Sequence, residues 1–335
     1  MEAKKREIGV DLVKVFACVW VVALHTLRPG QGLANRIVFL MASVCMPLFF
    51  ICNGYVLFLK RQITYGYVLK KVARILSVCF MWELLHAVAY FLVYNEFRNF
   101  IQSFILDFFQ EGLFYHFWFM GTLIILYMLL PLLKRIQVAN SRVFVGIVVT
   151  LGSINILIDV LMVAFGKQFI LDVPSNLRLW NYLFYYMFGG ICAEKRVMAS
   201  AYLKSRKGLK KIIWAIVPSI LMVVWIMFIT DRVIDNAAVG GFYSSLPVII
   251  AAISIFAIIG LSDITWKWVT HAASLIMGIY IIHPFVLAVM EKFIPAFING
   301  GSFFNFAFWI LTVLICAGMT FVINKIPVIK LLTKL

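Results

Sequence analysis

Charge is what this sequence has least of. Asp, Glu, Lys and Arg make up 13% of its 335 residues, and the acidic share is the smaller, 14 residues against 30 basic. A chain that is 64% hydrophobic, with a mean hydropathy of +1.01, has too little polar surface to clothe a soluble globule. The composition excludes an ordinary soluble domain and implies a polytopic membrane protein. Other absences narrow it further. No Gly/Ser linker, low-complexity run or separate soluble domain interrupts the chain, so residues 1–335 read as one integral membrane domain. No cleavable signal is visible, because the first apolar segment is too long for an h-region and lacks a small-residue cleavage site. Met1–Arg6 is therefore expected to stay as a cytosolic tail. The six cysteines, Cys18, Cys45, Cys52, Cys79, Cys192 and Cys316, all fall inside apolar segments without a CxxC or paired spacing. That argues against a disulfide framework or a zinc site, and no metal is expected. No internal repeat is evident, which slightly weakens a transporter reading.

What is there is a series of ten apolar segments, near 10–28, 37–59, 72–94, 113–133, 143–165, 177–194, 212–229, 243–261, 273–291 and 303–324, each long enough to cross a bilayer or nearly so. The expected fold class is an all-α bundle of about ten transmembrane helices. The net charge of +16 would suggest nucleic acid in a soluble protein. Here the basic residues collect in alternate short loops, so they read as a topology signal and a lipid contact, with no nucleic-acid partner. With a cytosolic N-terminus, 22 Lys and Arg lie on the inner side against seven on the outer, and both termini are expected in the cytosol.

The first segment carries charge where a membrane helix should not. In VDLVKVFACVWVVALHTLR, Lys14 and His25 stand eleven positions apart, so as a helix they differ by only about 20° in azimuth and share a face. They are separated by roughly 16 Å along the axis, about half the hydrocarbon thickness. Asp11, one turn before Lys14, is placed to pair with it. Ionisable groups at such depth point to function, although a lysine can also snorkel to the interface and a histidine can simply bond a neighbouring carbonyl.

Further candidates lie along the chain. MPLFFICNGY holds Pro47 and Asn53-Gly54, read as a bent helix whose freed backbone lines a cavity, with a packing kink as the alternative. Arg74 follows Lys70-Lys71 where a fork of donors would suit phosphate, or where topology alone would place it. Glu83 and His86, one turn apart, are positioned to pair inside the membrane. His116 opens the fourth segment in YHFWF, and His283 precedes Pro284 in GIYIIHPF. The stretch 95–112 spaces Phe97, Phe100, Phe104, Ile105 and Phe108 as an amphipathic helix lying in the outer interface. The basic run 195–211 reads as a solvated loop near anionic lipid.

Taken together, VDLVKVFACVWVVALHT, MPLFFICNGYVLF, the basic run ending in Arg74, FYHFWFMGTLIILYMLLP and SLIMGIYIIHPF resemble the integral membrane acyltransferase 3 family over nearly the whole length. The resemblance is greatest to small single-domain members of the enterobacterial common antigen O-acetyltransferase type. The family pattern in the first helix is an arginine, ten residues, then a catalytic histidine. Here the histidine is His25 and the arginine position is Lys14, which keeps the charge and loses the bidentate fork. Arg74 matches the basic residue after the second helix, Asn53–Tyr55 stands where many relatives have SGY, and Glu83 has no counterpart.

The resemblance implies a multi-pass protein of the bacterial inner membrane. Its implied reaction moves an acyl group, usually acetyl, from cytosolic acetyl-CoA or another acyl-CoA to a hydroxyl of a cell-surface glycan or lipid-linked sugar. Lys14 and Arg74 would hold CoA phosphates, His25 would be the general base, and Asn53 or Tyr55 would supply an oxyanion donor. Two other readings stay open. One is a transporter or flippase with Asp11, Lys14, Glu83 and His283 along a polar path, and the other is a polysaccharide assembly partner without turnover.

Overall fold

The computed structural model describes residues 7–97, 99–198, 201, 208–234, 238–296, 300–327 and 329–333. The expected tail Met1–Arg6, Arg98, Lys334 and much of the basic run 195–211 lie outside them. Helices α1 (Ile8–Thr26), α2 (Leu33–Phe58), α3 (Tyr65–Tyr94), α4 (Phe100–Asp107), α5 (Trp118–Ala139) and α6 (Ser141–Phe165) form the first half. The second half comprises α7 (Leu179–Glu194), α8 (Gly208–Arg232), α9 (Leu246–Gly260), α10 (Lys267–Ala273), α11 (Ile276–Phe293) and α12 (Ser302–Lys325). There is no strand among the described residues. The protein is an all-α membrane protein. Eight helices, α1, α2, α3, α5, α6, α8, α11 and α12, are long and apolar enough to span a bilayer. The shorter α7 and α9 occupy the places expected for the other two crossings.

Helix ends follow local chemistry. Thr64 caps α3 by accepting from the Tyr67 N–H at 3.2 Å, and Asn140 caps α6 by accepting from Arg142 and Val143. Gly166 ends α6 in the left-handed region, φ 61°, as a glycine can without strain. The amphipathic stretch forms α4, capped by Asn99, and sets Phe100 and Phe104 edge-to-face with Phe80 of α3 at 5.0 and 5.9 Å. A groove of about 500 Å³ lined by Asn99, Ile101, Gln102, Ile105 and Leu106 runs along α4, and no histidine lines it.

The centre of the bundle is α1, which buries Val10, Val13, Ala17, Cys18, Val21, Val22 and Ala23 against α2, the end of α9, α10, α11 and α12. At its start, Gly9 sits so close to the carbonyls of Ile259 and Gly260 that a Cβ would lie 2.5 and 2.9 Å from them. Helices α2 and α7 approach as closely. A Cβ on Gly54 would stand 1.8 Å from the Tyr186 carbonyl oxygen, and one on Gly189 would stand 2.2 Å from that of Ile51. Small residues at a contact let membrane helices approach to backbone distance, where dispersion rather than water expulsion holds them. Rings close the seam, Phe50 on Tyr182 at 4.6 Å and Phe58 on Tyr186 at 5.7 Å.

This corrects the expected cavity in α2. The helix tightens into one 3₁₀ turn at Ala42–Val44 and then continues through Pro47, which has no N–H to give the Ser43 carbonyl. Gly54 is a packing contact, and its surroundings are filled by α7.

Candidate active site

His25 stands in the last turn of α1, half-buried, with its Nδ1 3.1 Å from the Tyr115 hydroxyl. Tyr115 and His116 belong to the 3₁₀ turn Tyr115–Phe117 that leads into α5. Two further histidines close on the same point. His283 of α11 is fully buried, its ring centroid 5.3 Å from that of His25. His116, also buried, lies 5.2 Å from His283. The sequence holds these three on separate segments, and the fold makes them one cluster.

The hydrogen bonds fix part of its chemistry. Pro284 cannot donate to the Tyr280 carbonyl one turn back, and His283 Nδ1 takes that role at 2.7 Å, with the Ile279 carbonyl at 3.3 Å. A carbonyl only accepts, so Nδ1 carries the proton and the neutral ring keeps a lone pair on Nε2. That Nε2 has no hydrogen-bond partner. Neither do Nδ1 and Nε2 of His116. His116 is anchored through its main chain, where the Tyr280 hydroxyl donates to its carbonyl oxygen. Beyond Tyr115, Arg28 pairs with Glu291 at 2.7 Å, and the Arg28 N–H donates to Asn305 at 2.9 Å. The cluster is thus apolar-walled on the bundle side and ionic at the end of α1.

The other predicted residues gather at the opposite end of α1. Helices α1 and α2 form a hairpin across a short connection, so a position late in α2 is level with one early in α1. Cys52 Sγ shows the register, 3.9 Å from the Val10 carbonyl oxygen. Lys14 and Asp11 lie within electrostatic reach of Cys52, and Lys14 is half-buried. Asn53 accepts from the Tyr127 hydroxyl at 3.3 Å, and the Lys71 ammonium sits 5.8 Å from the Tyr127 ring centre. Tyr55 is buried with Arg196 in reach of its hydroxyl. Asn53 and Tyr55 therefore do not supply an oxyanion donor beside His25, a correction that follows from the antiparallel register. Arg74 gives one guanidinium N–H to the Leu331 carbonyl at 3.3 Å, and Trp82 gives its indole N–H to that of Leu332 at 2.9 Å. Lys14 and Arg74 sit on helices that do not pack along one another.

Glu83 and His86 pair as expected, at 3.3 Å, with Glu83 buried. Phe114 separates them from the cluster, its ring 5.8 Å from His86 and 5.9 Å from His116. No group of acidic, histidine or cysteine side chains suited to a metal ion occurs among the described residues.

The family model described as an acyltransferase domain, Acyl_transf_3, matches residues 7–323. This chain belongs to the acyltransferase 3 family. The match begins at the first described residue of the α1 region and ends within α12, so it reaches every helix long enough to span a bilayer. An amino-acid racemase of Enterococcus faecalis is 25% identical over 342 residues, covering 94% of this chain. The acyltransferase 3 chain spans 45% of that racemase, less than half its length. No solved structure matches. Tyr115 and Tyr280 were not singled out from sequence, although YHFWF and GIYIIHPF contain them. Lys71 was visible only as part of a basic run.

Proposed function

We propose that the protein is an O-acyltransferase, with acetyl-CoA as donor and a hydroxyl of a cell-surface or lipid-linked glycan as acceptor, working in a bacterial inner membrane with the N-terminal end of α1 at the cytosol. The observation that carries the reading is the joining of His25 to Tyr115, His116 and His283 at one end of α1, with Lys14, Lys71 and Arg74 toward the other. With its Nδ1 proton given to the Tyr115 oxygen, His25 presents the Nε2 lone pair. It takes the proton of the acceptor hydroxyl as that oxygen attacks the thioester carbon. The C–S bond then breaks and the imidazolium returns its proton to the departing CoA sulfur. Acceptor ester and CoA thiol are the products, and no proton is left over. Lys14 and Arg74, with Lys71, attract the CoA phosphates at the opposite end.

The test is purified protein with radiolabelled acetyl-CoA and a lipid-linked glycan fraction. Label moves to the glycan with the wild type, and His25→Gln loses roughly 10²–10⁴ in rate while acetyl-CoA affinity stays within a few-fold. Near-normal transfer by folded His25→Gln would remove His25 from the chemistry. Movement of glycan without consumption of acetyl-CoA would replace the reading with transport.

A further inference from the structure

Two buried imidazoles beside His25 have unused polar atoms, and the reaction above assigns a base without assigning a group for the charge that develops on the acyl oxygen. His116 is 2% exposed, and neither of its ring nitrogens meets a partner. A neutral imidazole must carry its proton on one of them. A buried N–H left unbonded carries its full desolvation cost, so the fold keeps this donor at the expense of stability. The neighbouring histidine does not fill the need. His283 is turned by its Nδ1–H bonds to the Tyr280 and Ile279 carbonyls, and its Nε2 is also without a partner.

The position of His116 is not adaptable. The Tyr280 hydroxyl holds its carbonyl oxygen, and the rings of Phe117 at 4.9 Å and Tyr280 at 5.0 Å pack on the imidazole. A fixed N–H among aromatic walls, within electrostatic reach of His25, has the properties of a preorganised donor. Low local polarity strengthens what it gives to a developing negative charge and leaves little reorganisation to occur during the reaction.

We propose that His116 donates its ring N–H to the thioester oxygen as the tetrahedral intermediate forms, with Tyr280 as the residue that positions it. The proton stays on His116 throughout: the carbonyl π pair moves onto oxygen during attack and returns when the C–S bond breaks. His25 alone carries the proton between acceptor and leaving group. The assignment rests on the acyl-transfer reading of this site and supplies what Asn53 and Tyr55 do not.

The experiment is acetyl transfer by purified, detergent-stable wild type, His116→Gln, His116→Leu, Tyr280→Phe and His25→Gln, with KM for acetyl-CoA and kcat measured separately. Loss of a single oxyanion donor predicts a fall in kcat of about 10²–10³ for His116→Leu with KM within a few-fold. His116→Gln, which keeps an N–H, should recover at least tenfold of that loss, and Tyr280→Phe should lower kcat without moving KM. A His116→Leu protein with kcat within threefold of wild type overturns the proposal, as does one whose loss is confined to KM. Equal loss in Gln and Leu variants that stay folded overturns it too, because a donor would then not be what is missing. If His25→Gln abolishes transfer while both His116 variants retain it, the acyl-transfer reading stands and this inference alone falls. If the wild type transfers no acetyl group, the underlying reading falls first.

Discussion

Lys14 and His25 share a face because eleven residues make close to three turns, and both are half-buried in the bundle as that face requires. His116 and His283 were each visible as intramembrane histidines, yet their meeting depends on α11 and the turn before α5 packing at one level, which periodicity does not encode. Asn53 and Tyr55 went wrong for the same reason in reverse: their distance from the α1–α2 connection sets their depth, and counting residues across it would have placed them level with Val10. The basic end yields its own prediction. Lys14→Ala should weaken acetyl-CoA binding at least several-fold, and Lys14→Arg should largely preserve it, since charge and reach survive. Raising salt should weaken binding by wild type more than by Lys14→Ala. Equilibrium binding of labelled acetyl-CoA measures all of these. Unchanged affinity in Lys14→Ala would leave the phosphates to Lys71 and Arg74.

Among the elements, the α2–α7 pair shows how a sequence feature can mean packing where it suggested a cavity. Proline and glycine inside an apolar run are compatible with a broken helix, but α7 brings its own glycines, Gly189 and Gly190, to the same seam. Only the pairing of two glycine-bearing segments, far apart in the chain, distinguishes the outcomes. Gly54→Ala would force the Tyr186 carbonyl to move, because the nearest atom is backbone rather than a flexible side-chain end. Overpacking of this kind costs about 1–3 kcal/mol, and thermal unfolding in detergent should show a clearly lowered midpoint. Gly146 in α6 is the internal control. A Cβ there meets nothing within 4 Å, and removing a helix-interior glycine should stabilise by about 0.5–1 kcal/mol. If Gly54→Ala and Gly146→Ala behave alike, the close approach of α2 and α7 does not hold the bundle together.

At the scale of the whole molecule, the question is whether α7 and α9 cross. With 16 residues α7 is about 24 Å long, short of a hydrocarbon core of about 30 Å. Such a deficit is costly for a helix facing lipid. It matters less here, because α7 packs against α2 and α6, and α9 against α8 and the α1 region, so neighbours rather than lipid meet their ends. Each is also extended at its start by 3₁₀ turns, Ser175–Leu177 before α7 and Val239–Ser244 before α9. Parity turns this into a measurement. Eight long helices plus both short ones give an even number of crossings, and one short helix crossing without the other gives an odd number. The charge bias selects the former with both ends at the cytosol, because the Lys/Arg-rich run after α7 then falls on the same side as the N-terminus. Epitope tags at residues 1 and 335 should both resist protease in intact cells and both be cut after permeabilisation. A cysteine reporter placed at 195 should be shielded with them, whereas one at 177, exposed just before α7, should be labelled from outside. Labelling of both reporters from outside would mean that α7 does not cross, and a protease-sensitive C-terminal tag would mean that only one of the two short helices does.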